Sequence, residues 1–349
     1  MKPLPKTMFV GYGPDMISYY RCFLPAVALG ADYAAWVSDI KVSALRLVTG
    51  FDATPPQLDD LFDYEVVVVQ QARGKVWLKL IRELQDAGVT VLYEIDDYVQ
   101  SARKIKSHEM SETLDAEFVR QMELSMHVAD GIICSTDYLA RRYRAHNPRT
   151  WTCPNGIDLP RYSHPRIERE GVTIGWSGGV GHKASLARWE PALRSVLRSR
   201  PEARFMSAGH LAALEYIEEF GAERAIPVLP AKLEVYPATL SLFDMAIAPS
   251  AENNLFRGKS DLRWLEASAA GVPLIADPEV YPEIEDRVTG MHARTPAEAE
   301  AALLELVDDR ELRERIGAQA RAYVTEHRRV QVTAEAWRDV LMEFAPVTA

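Results

Sequence analysis

Val172-Thr173-Ile174-Gly175-Trp176 reads as an apolar strand that runs straight into the turn Ser177-Gly178-Gly179-Val180-Gly181. A helical stretch over residues 186–198 follows, giving the order strand, glycine turn, helix. That order, met halfway along a chain of 349 residues, marks the start of a second α/β unit. Downstream the alternation continues through short apolar runs at residues 204–207, 245–248 and 273–276. Upstream the same rhythm is present. Met8-Phe9-Val10 ends in Gly11-Tyr12-Gly13 and leads into a helical stretch through Tyr20 and Arg21 to Leu29. Val66-Val67-Val68-Val69 is β-branched throughout, which suits a strand buried on both faces of a parallel sheet. Residues 76–87 carry Trp77, Leu80, Ile81 and Leu84 at helical spacing and stop at Gly88; residues 89–95 form the next strand and end in Asp96-Asp97. After the strand at residues 132–135, Thr136-Asp137 caps a helix predicted over 138–146. A polar, proline-bearing connector at 160–171 separates the halves. The last helix carries the apolar stripe Trp337, Val340 and Leu341, which is expected to pack back on the first half.

At about 150 residues per domain, this length is that of two domains. Hydrophobic residues make up 48% and charged residues 26%, which excludes a disordered or collagen-like chain. Forty Lys and Arg against fifty Asp and Glu give a net charge of -10, which disfavours broad adhesion to nucleic acid or an anionic membrane and leaves room only for a local basic patch. Cys22, Cys134 and Cys153 are odd in number and far apart, a pattern of idle thiols in a reducing cytosol rather than a disulfide framework or metal site. The start lacks the apolar core of a signal peptide, and the longest uncharged apolar stretch, residues 267–276, is too short to span a bilayer. A cytoplasmic protein with no integral membrane segment is expected.

Three segments carry chemistry. Asn155-Gly156-Ile157-Asp158, preceded by Cys153-Pro154, contains a turn pair. In Arg257-Gly258-Lys259-Ser260-Asp261-Leu262-Arg263-Trp264-Leu265-Glu266, a Gly-Lys-Ser turn opens a helix whose first N–H groups and positive dipole end suit phosphate. Glu266, toward the other end, can accept hydrogen bonds from sugar hydroxyls, and the helix stops at Gly271 with Pro273 just after. The third segment is Tyr281-Pro282-Glu283-Ile284, leading through Val288-Thr289-Gly290 to a helix at residues 308–313.

In this order and spacing the segments resemble the family-4 glycosyltransferases of the GT-B fold, strongly over residues 150–327. The resemblance implies two Rossmann-like domains facing each other across a cleft: residues 1–165 on the acceptor side, 166–326 for the nucleotide sugar, and 327–349 as a helix returning to the first domain. It implies retaining transfer from a UDP- or GDP-sugar to an acceptor hydroxyl on a glycan, lipid, protein or modified nucleic-acid base, with no metal or other cofactor. Donor contacts carry over to Gly178, Gly179, His182, Lys183, Gly258, Lys259, Ser260, Asp261, Leu262 and Glu266. The acceptor side carries over to Gly11, Tyr12, Gly13, Ser18, Tyr19, Arg21, Asp96 and Asp97, with Lys259 and Asp97 closest to the reaction. One departure stands out. The family usually has two glutamates eight positions apart; Glu266 matches the second, but Gly258 occupies the first position. That departure is the support for an alternative, a nucleotide-sugar-binding or scaffold subunit without activity.

Two local patterns admit other readings. Gly179-Val180-Gly181-His182-Lys183-Ala184 fits a dinucleotide fingerprint, but that chemistry wants an acid at the end of the next strand, where Gly209-His210 stand. Asp96-Asp97, at the carboxyl end of a strand, could orient acceptor hydroxyls, cap the next segment or bind a metal. His108 and Glu109 are unassigned.

Overall fold

The computed structural model describes residues 3–13, 15–35, 58–102, 116–165, 169–250 and 254–345; His108 and Glu109 lie outside them. Strands β1 (Thr7–Gly11), β2 (Asp32–Ala35), β3 (Val66–Gln70), β4 (Thr90–Ile95), β5 (Gly131–Cys134) and β6 (Thr150–Thr152) form one sheet in the order β2-β1-β3-β4-β5-β6. Strands β7 (Val172–Gly178), β8 (Ala203–Gly209), β9 (Ala225–Val228), β10 (Met245–Ala248), β11 (Leu274–Ala276) and β12 (Met291–His292) form a second, in the order β12-β11-β10-β7-β8-β9. Every pairing is parallel. The strand order reverses between β1 and β3 in the first sheet and between β7 and β10 in the second. In open α/β sheets, ligand crevices open outside the carboxyl ends at such points.

The eight interior strands are those that the apolar runs predict, including β3, in which every residue is buried. The four that sequence patterning misses, β2, β6, β9 and β12, are the four sheet edges. They are two to four residues long and each is partly exposed, so no apolar run announces them.

The helices cover both faces of each sheet. Helix α1 contains the turns Met16–Ser18, Tyr19–Phe23 and Leu24–Leu29, the middle one widened to a π turn in which the Leu24 N–H donates to the Tyr19 carbonyl. The widening lies just ahead of Pro25, which has no N–H to give and whose ring crowds the carbonyl four residues back. Helices α2 (Lys75–Asp86), α3 (Ala116–Val128) and α4 (Asp137–Tyr143) follow, the last capped by Thr136 as predicted but ending at Tyr143 rather than His146. In the second half come α5 (Lys183–Ser199), α6 (Asn254–Arg257), α7 (Leu262–Ala269), α8 (Pro296–Asp308), α9 (Arg310–His327) and α10 (Val330–Met342). Helix α7 is stopped where Gly271 takes a φ of 70°.

The last helix packs against the first sheet. Trp337, Val340 and Leu341 share a core with Phe9, Val68, Leu92 and Ile133 of the first sheet, and the Trp337 ring lies 5.5 Å from that of Phe9. In the other direction, Leu255 of α6 is buried in the first sheet's core. The three cysteines are buried and unbridged. Among the described residues no helix is long and apolar enough to cross a membrane.

Candidate functional site

The two sheets meet along a seam built on Asn155-Gly156-Ile157-Asp158. The Asn155 side chain accepts from Arg21 Nη1 at 2.9 Å and donates to Ser260 Oγ at 2.9 Å, so one amide joins both halves. Ile157 exchanges backbone hydrogen bonds with Arg328 and Val330 at the entry to α10. Gly156 has to be glycine, because a Cβ there would lie 2.2 Å from Thr333 Oγ1 and 2.6 Å from Val330 Cα. Arg328 donates to the Asn155 carbonyl at 3.2 Å and holds both oxygens of Asp261. A plain turn pair in sequence is thus the joint that fixes one sheet against the other.

At the carboxyl edge of the second sheet, β7 ends at Gly178 and a tight turn over Val180–His182 opens α5. A side chain on Gly178 would press on Trp176, Arg263 and His182, whereas one on Gly179 would meet nothing within 4 Å. Gly179 therefore borders open space. The His182 ring packs edge-on against Phe256, and Lys183 pairs with Glu215 at 2.5 Å. Across from this turn, Gly258-Lys259-Ser260-Asp261 links α6 to α7, and Leu262 begins the latter. A Cβ on Gly258 would stand 3.0 Å from Leu139 Cδ2 and 3.3 Å from Tyr98 Cβ, both from the first half. A side chain at this position therefore crowds Leu139 and Tyr98, which would have to give by a few tenths of an ångström.

Lys259 reaches across the seam. Its Nζ lies 2.5 Å from Asp97 Oδ1, and Asp97 is nearly fully buried. The two residues expected closest to the reaction are therefore joined as an ion pair between the domains. Glu266, expected to accept from sugar hydroxyls, has both oxygens engaged by the protein. Tyr20 OH donates to one at 2.9 Å and Tyr236 OH to the other at 3.1 Å, and the Tyr20 and Tyr162 hydroxyls are 2.7 Å apart. Burial pushes the Glu266 carboxyl up to about 7, against the pull of those two hydroxyls.

The first sheet's carboxyl edge is organised differently. Glu94, Asp96 and Asp97 follow one another at the end of β4. Glu94 is fully buried and pairs with Arg21 Nε at 2.6 Å. Asp96 Oδ1 accepts from Gln71 Nε2 at 2.8 Å; burial and the neighbouring Asp97 and Glu94 push its carboxyl up to about 7. Gln71 holds that position with a φ of 45°, a left-handed backbone at a non-glycine residue. Gln70 Oε1 accepts from the Tyr12 N–H at 3.0 Å and from Ser18 Oγ at 2.7 Å, which fixes the Gly11-Tyr12-Gly13 loop. The Gly13 N–H donates to Ser18 Oγ at 3.2 Å, and a Cβ on Gly11 would lie 2.9 Å from Ser18 Cβ.

Arg21, Ser18 and Tyr19, expected on the acceptor side, are all buried. Arg21 is 1% exposed and ties Glu94 to the Cys153 carbonyl and Asn155, with its guanidinium 5.0 Å from the Trp337 ring. Ser18 is buried under the loop it braces, and Tyr19 is buried and donates to Asp158 Oδ2 at 3.2 Å. Conversely, Gln70, Gln71 and Arg73 stand at the site although no motif points to them. A signal for them exists in the sequence: a polar run at the carboxyl end of the most apolar strand is where α/β sheets place ligand contacts. Arg328 and Tyr236 carry no comparable local signal.

Beside Lys259 a cavity of about 680 Å³ opens between the domains, bordered by Thr136, Tyr138 and Arg141 on one side and Glu283 and Arg328 on the other. Residues 188–339 match the family model described as glycosyl transferase-like. No curated protein matches the chain by sequence. Among solved structures, the chain is similar to HepE of Anabaena, crystallised with UDP and glucose, at 13% identity over 97% of this chain and 99% of that one, with a TM-score of 0.67. It is similar to a glycosyltransferase of Rickettsia africae at 12% identity over 99% and 100%, with a TM-score of 0.68. It is also similar to the sucrose-phosphate synthase of Thermosynechococcus elongatus at 12% identity over 97% and 98%, with a TM-score of 0.68. The fold is the GT-B fold, two facing Rossmann-like units, and within it residues 188–339 are similar to the glycosyl transferase-like family model.

Proposed function

We propose that this protein is a retaining glycosyltransferase resembling family 4, moving a sugar from a UDP- or GDP-sugar to an acceptor hydroxyl. The observation that carries the reading is the meeting, across one seam, of the glycine turn Gly178–Gly179, the Gly258-to-Leu262 turn and the acidic end of β4, joined by Lys259 and Asp97. Cleavage of an anomeric C–O bond pushes negative charge onto the leaving diphosphate. A preplaced ammonium and the backbone N–H groups of a helix-opening turn stabilise that charge without a metal. Lys259 leaves Asp97 for the diphosphate, and the freed carboxylate orients the acceptor hydroxyl, whose proton goes to the departing phosphate on the same face. His182 and Lys183 flank the diphosphate, Ser260 and Asp261 hold the turn in place, and Glu266 keeps the first domain's Tyr20 docked over the donor. The complexes of HepE with UDP-glucose and with UDP and glucose support a uridine nucleotide as donor. The domains are read as residues 1–165, 166–326 and 327–349, and the reaction as cytoplasmic.

The test is incubation with a panel of UDP- and GDP-sugars and candidate glycan, lipid and peptide acceptors, with and without chelator. Release of nucleotide diphosphate and a product of unchanged anomeric configuration, insensitive to chelator, are expected. The occupied carboxylate of Glu266 and the filled space at Gly258 favour one second reading, a binding subunit without turnover. Tight nucleotide-sugar binding with no release in the presence of any acceptor decides for it.

A further inference from the structure

Arg73 follows β3 at the point where the first sheet's strand order reverses, beside the Gly11-Tyr12-Gly13 loop and three residues past Gln70. Its guanidinium lies 3.5 Å from the centre of the Tyr12 ring and 4.9 Å from that of Phe118 on α3. Among the described residues no carboxylate stands within ion-pair distance of it, and none of its N–H groups donates to a protein acceptor. Other arginines of this chain are matched by carboxylates: the enclosed Arg21 by Glu94 and Arg328 by Asp261, and the more open Arg194 by Glu190 and Glu219. Burial without an anion pulls the Arg73 pKa down to about 10, the opposite of the direction seen for those three.

Two aromatic faces hold the plane of a guanidinium and leave its edge of N–H donors unspent. An edge of this kind matches the two oxygens of a carboxylate or phosphate in bidentate fashion. The neighbouring carboxylates are already committed, Asp96 to Gln71 and Asp97 to Lys259, so none of the described residues supplies the missing anion. We propose that Arg73 is an anion-anchoring residue of the acceptor site, so that the acceptor carries a carboxylate or a phosphate monoester close to the hydroxyl that is glycosylated. The word acceptor rests on the transferase reading above; the anion site does not.

The experiment titrates the full chain, held at saturating UDP so that the donor side is filled, with methyl β-D-glucuronide, glycerol 1-phosphate and the neutral methyl β-D-glucoside. The two anionic probes separate a carboxylate from a phosphate preference. Binding of at least one anionic probe, at least tenfold tighter than the neutral glucoside, is expected, with a loss of tenfold or more in Arg73→Gln. Arg73→Lys keeps the charge but not the planar fork, and a loss of about threefold is expected. Neither anion binding more tightly than the glucoside, no binding of either anion, or an Arg73→Gln affinity equal to that of the unmodified protein overturns the proposal. Should Arg73→Gln fail to fold, an unchanged affinity in Arg73→Lys overturns it equally. Titration with UDP alone reports on the donor site separately, so a failed transferase reading and a failed anion site give different results.

Discussion

At the carboxyl edge of the second sheet the chain offers backbone: Gly178, Gly179, Gly209 and Gly258 stand at the turns, and only Gly179 has space beside it. At the carboxyl edge of the first sheet it offers side chains. Glu94, Asp96, Asp97, Gln70 and Gln71 are buried or half-buried and fixed by partners that come from as far away as Arg21 and Lys259. Backbone N–H groups serve any diphosphate, so the second edge suits a constant part of the donor. Side chains in a specific network suit a particular acceptor. The difference also explains what each edge tolerates. The glycine edge fails by overfilling, and the wired edge fails when one partner is removed.

The largest expected effect breaks the wired edge. Arg21→Ala leaves Glu94 buried and unpaired, and loss of one partner of a buried ion pair costs about 3–5 kcal/mol. Urea unfolding should show that loss as a lower midpoint with little change in slope. Next in size is Lys259→Ala, which removes the ammonium that joins the two edges. Transfer should fall by the roughly 2.7–4 kcal/mol typical of a deleted oxyanion donor. Asp97→Asn should depress transfer while leaving nucleotide-sugar affinity nearly unchanged. Because the two residues touch, the double variant should lose less than the sum of the singles, and strict additivity in steady-state kinetics would separate the edges.

Glu266 gives a pH test. Folding raises its pKa from the ordinary carboxylate range to about 7, so between those values the folded state binds more protons than the unfolded one. Its stabilising contribution is therefore present at low pH and is lost as pH rises through about 7. Glu266→Gln removes that decline. The variant should gain on the unmodified protein between pH 5 and pH 8, by on the order of 2–3 kcal/mol at most. Thermal midpoints measured across that range check it. Gly258→Glu has the smallest expected effect. A glutamate at this position should not raise activity; it should crowd Leu139 and Tyr98 and cost about 1–3 kcal/mol, read as a lower thermal midpoint.

The same contrast governs how much of the molecule is legible in its sequence. Interior strands such as β3 and β10 announce themselves as apolar runs because both of their faces are covered. The edge strands β2, β6, β9 and β12 do not, because each is partly exposed and so carries no fully apolar run. Glycine turns and the Gly-Lys-Ser helix start are legible because backbone sites leave a local signature. The wired edge is not, since Arg21, Glu94 and Asn155 are far apart in sequence and are brought together only by the packing of α1 and α10 on the first sheet. For Ser18, Tyr19 and Arg21 the sequence points to the loop but not to their partners, because Gln70, Asp158 and Glu94 lie far from them along the chain.

The central claim is that Lys259 passes from Asp97 to the donor's diphosphate. A crystal structure with UDP bound tests it most directly. The diphosphate is expected between Gly178–Gly179 and the Gly258-to-Leu262 turn, with Lys259 Nζ on a phosphate oxygen and Asp97 released. A nucleotide bound elsewhere, or seated there with Lys259 still on Asp97, would contradict it.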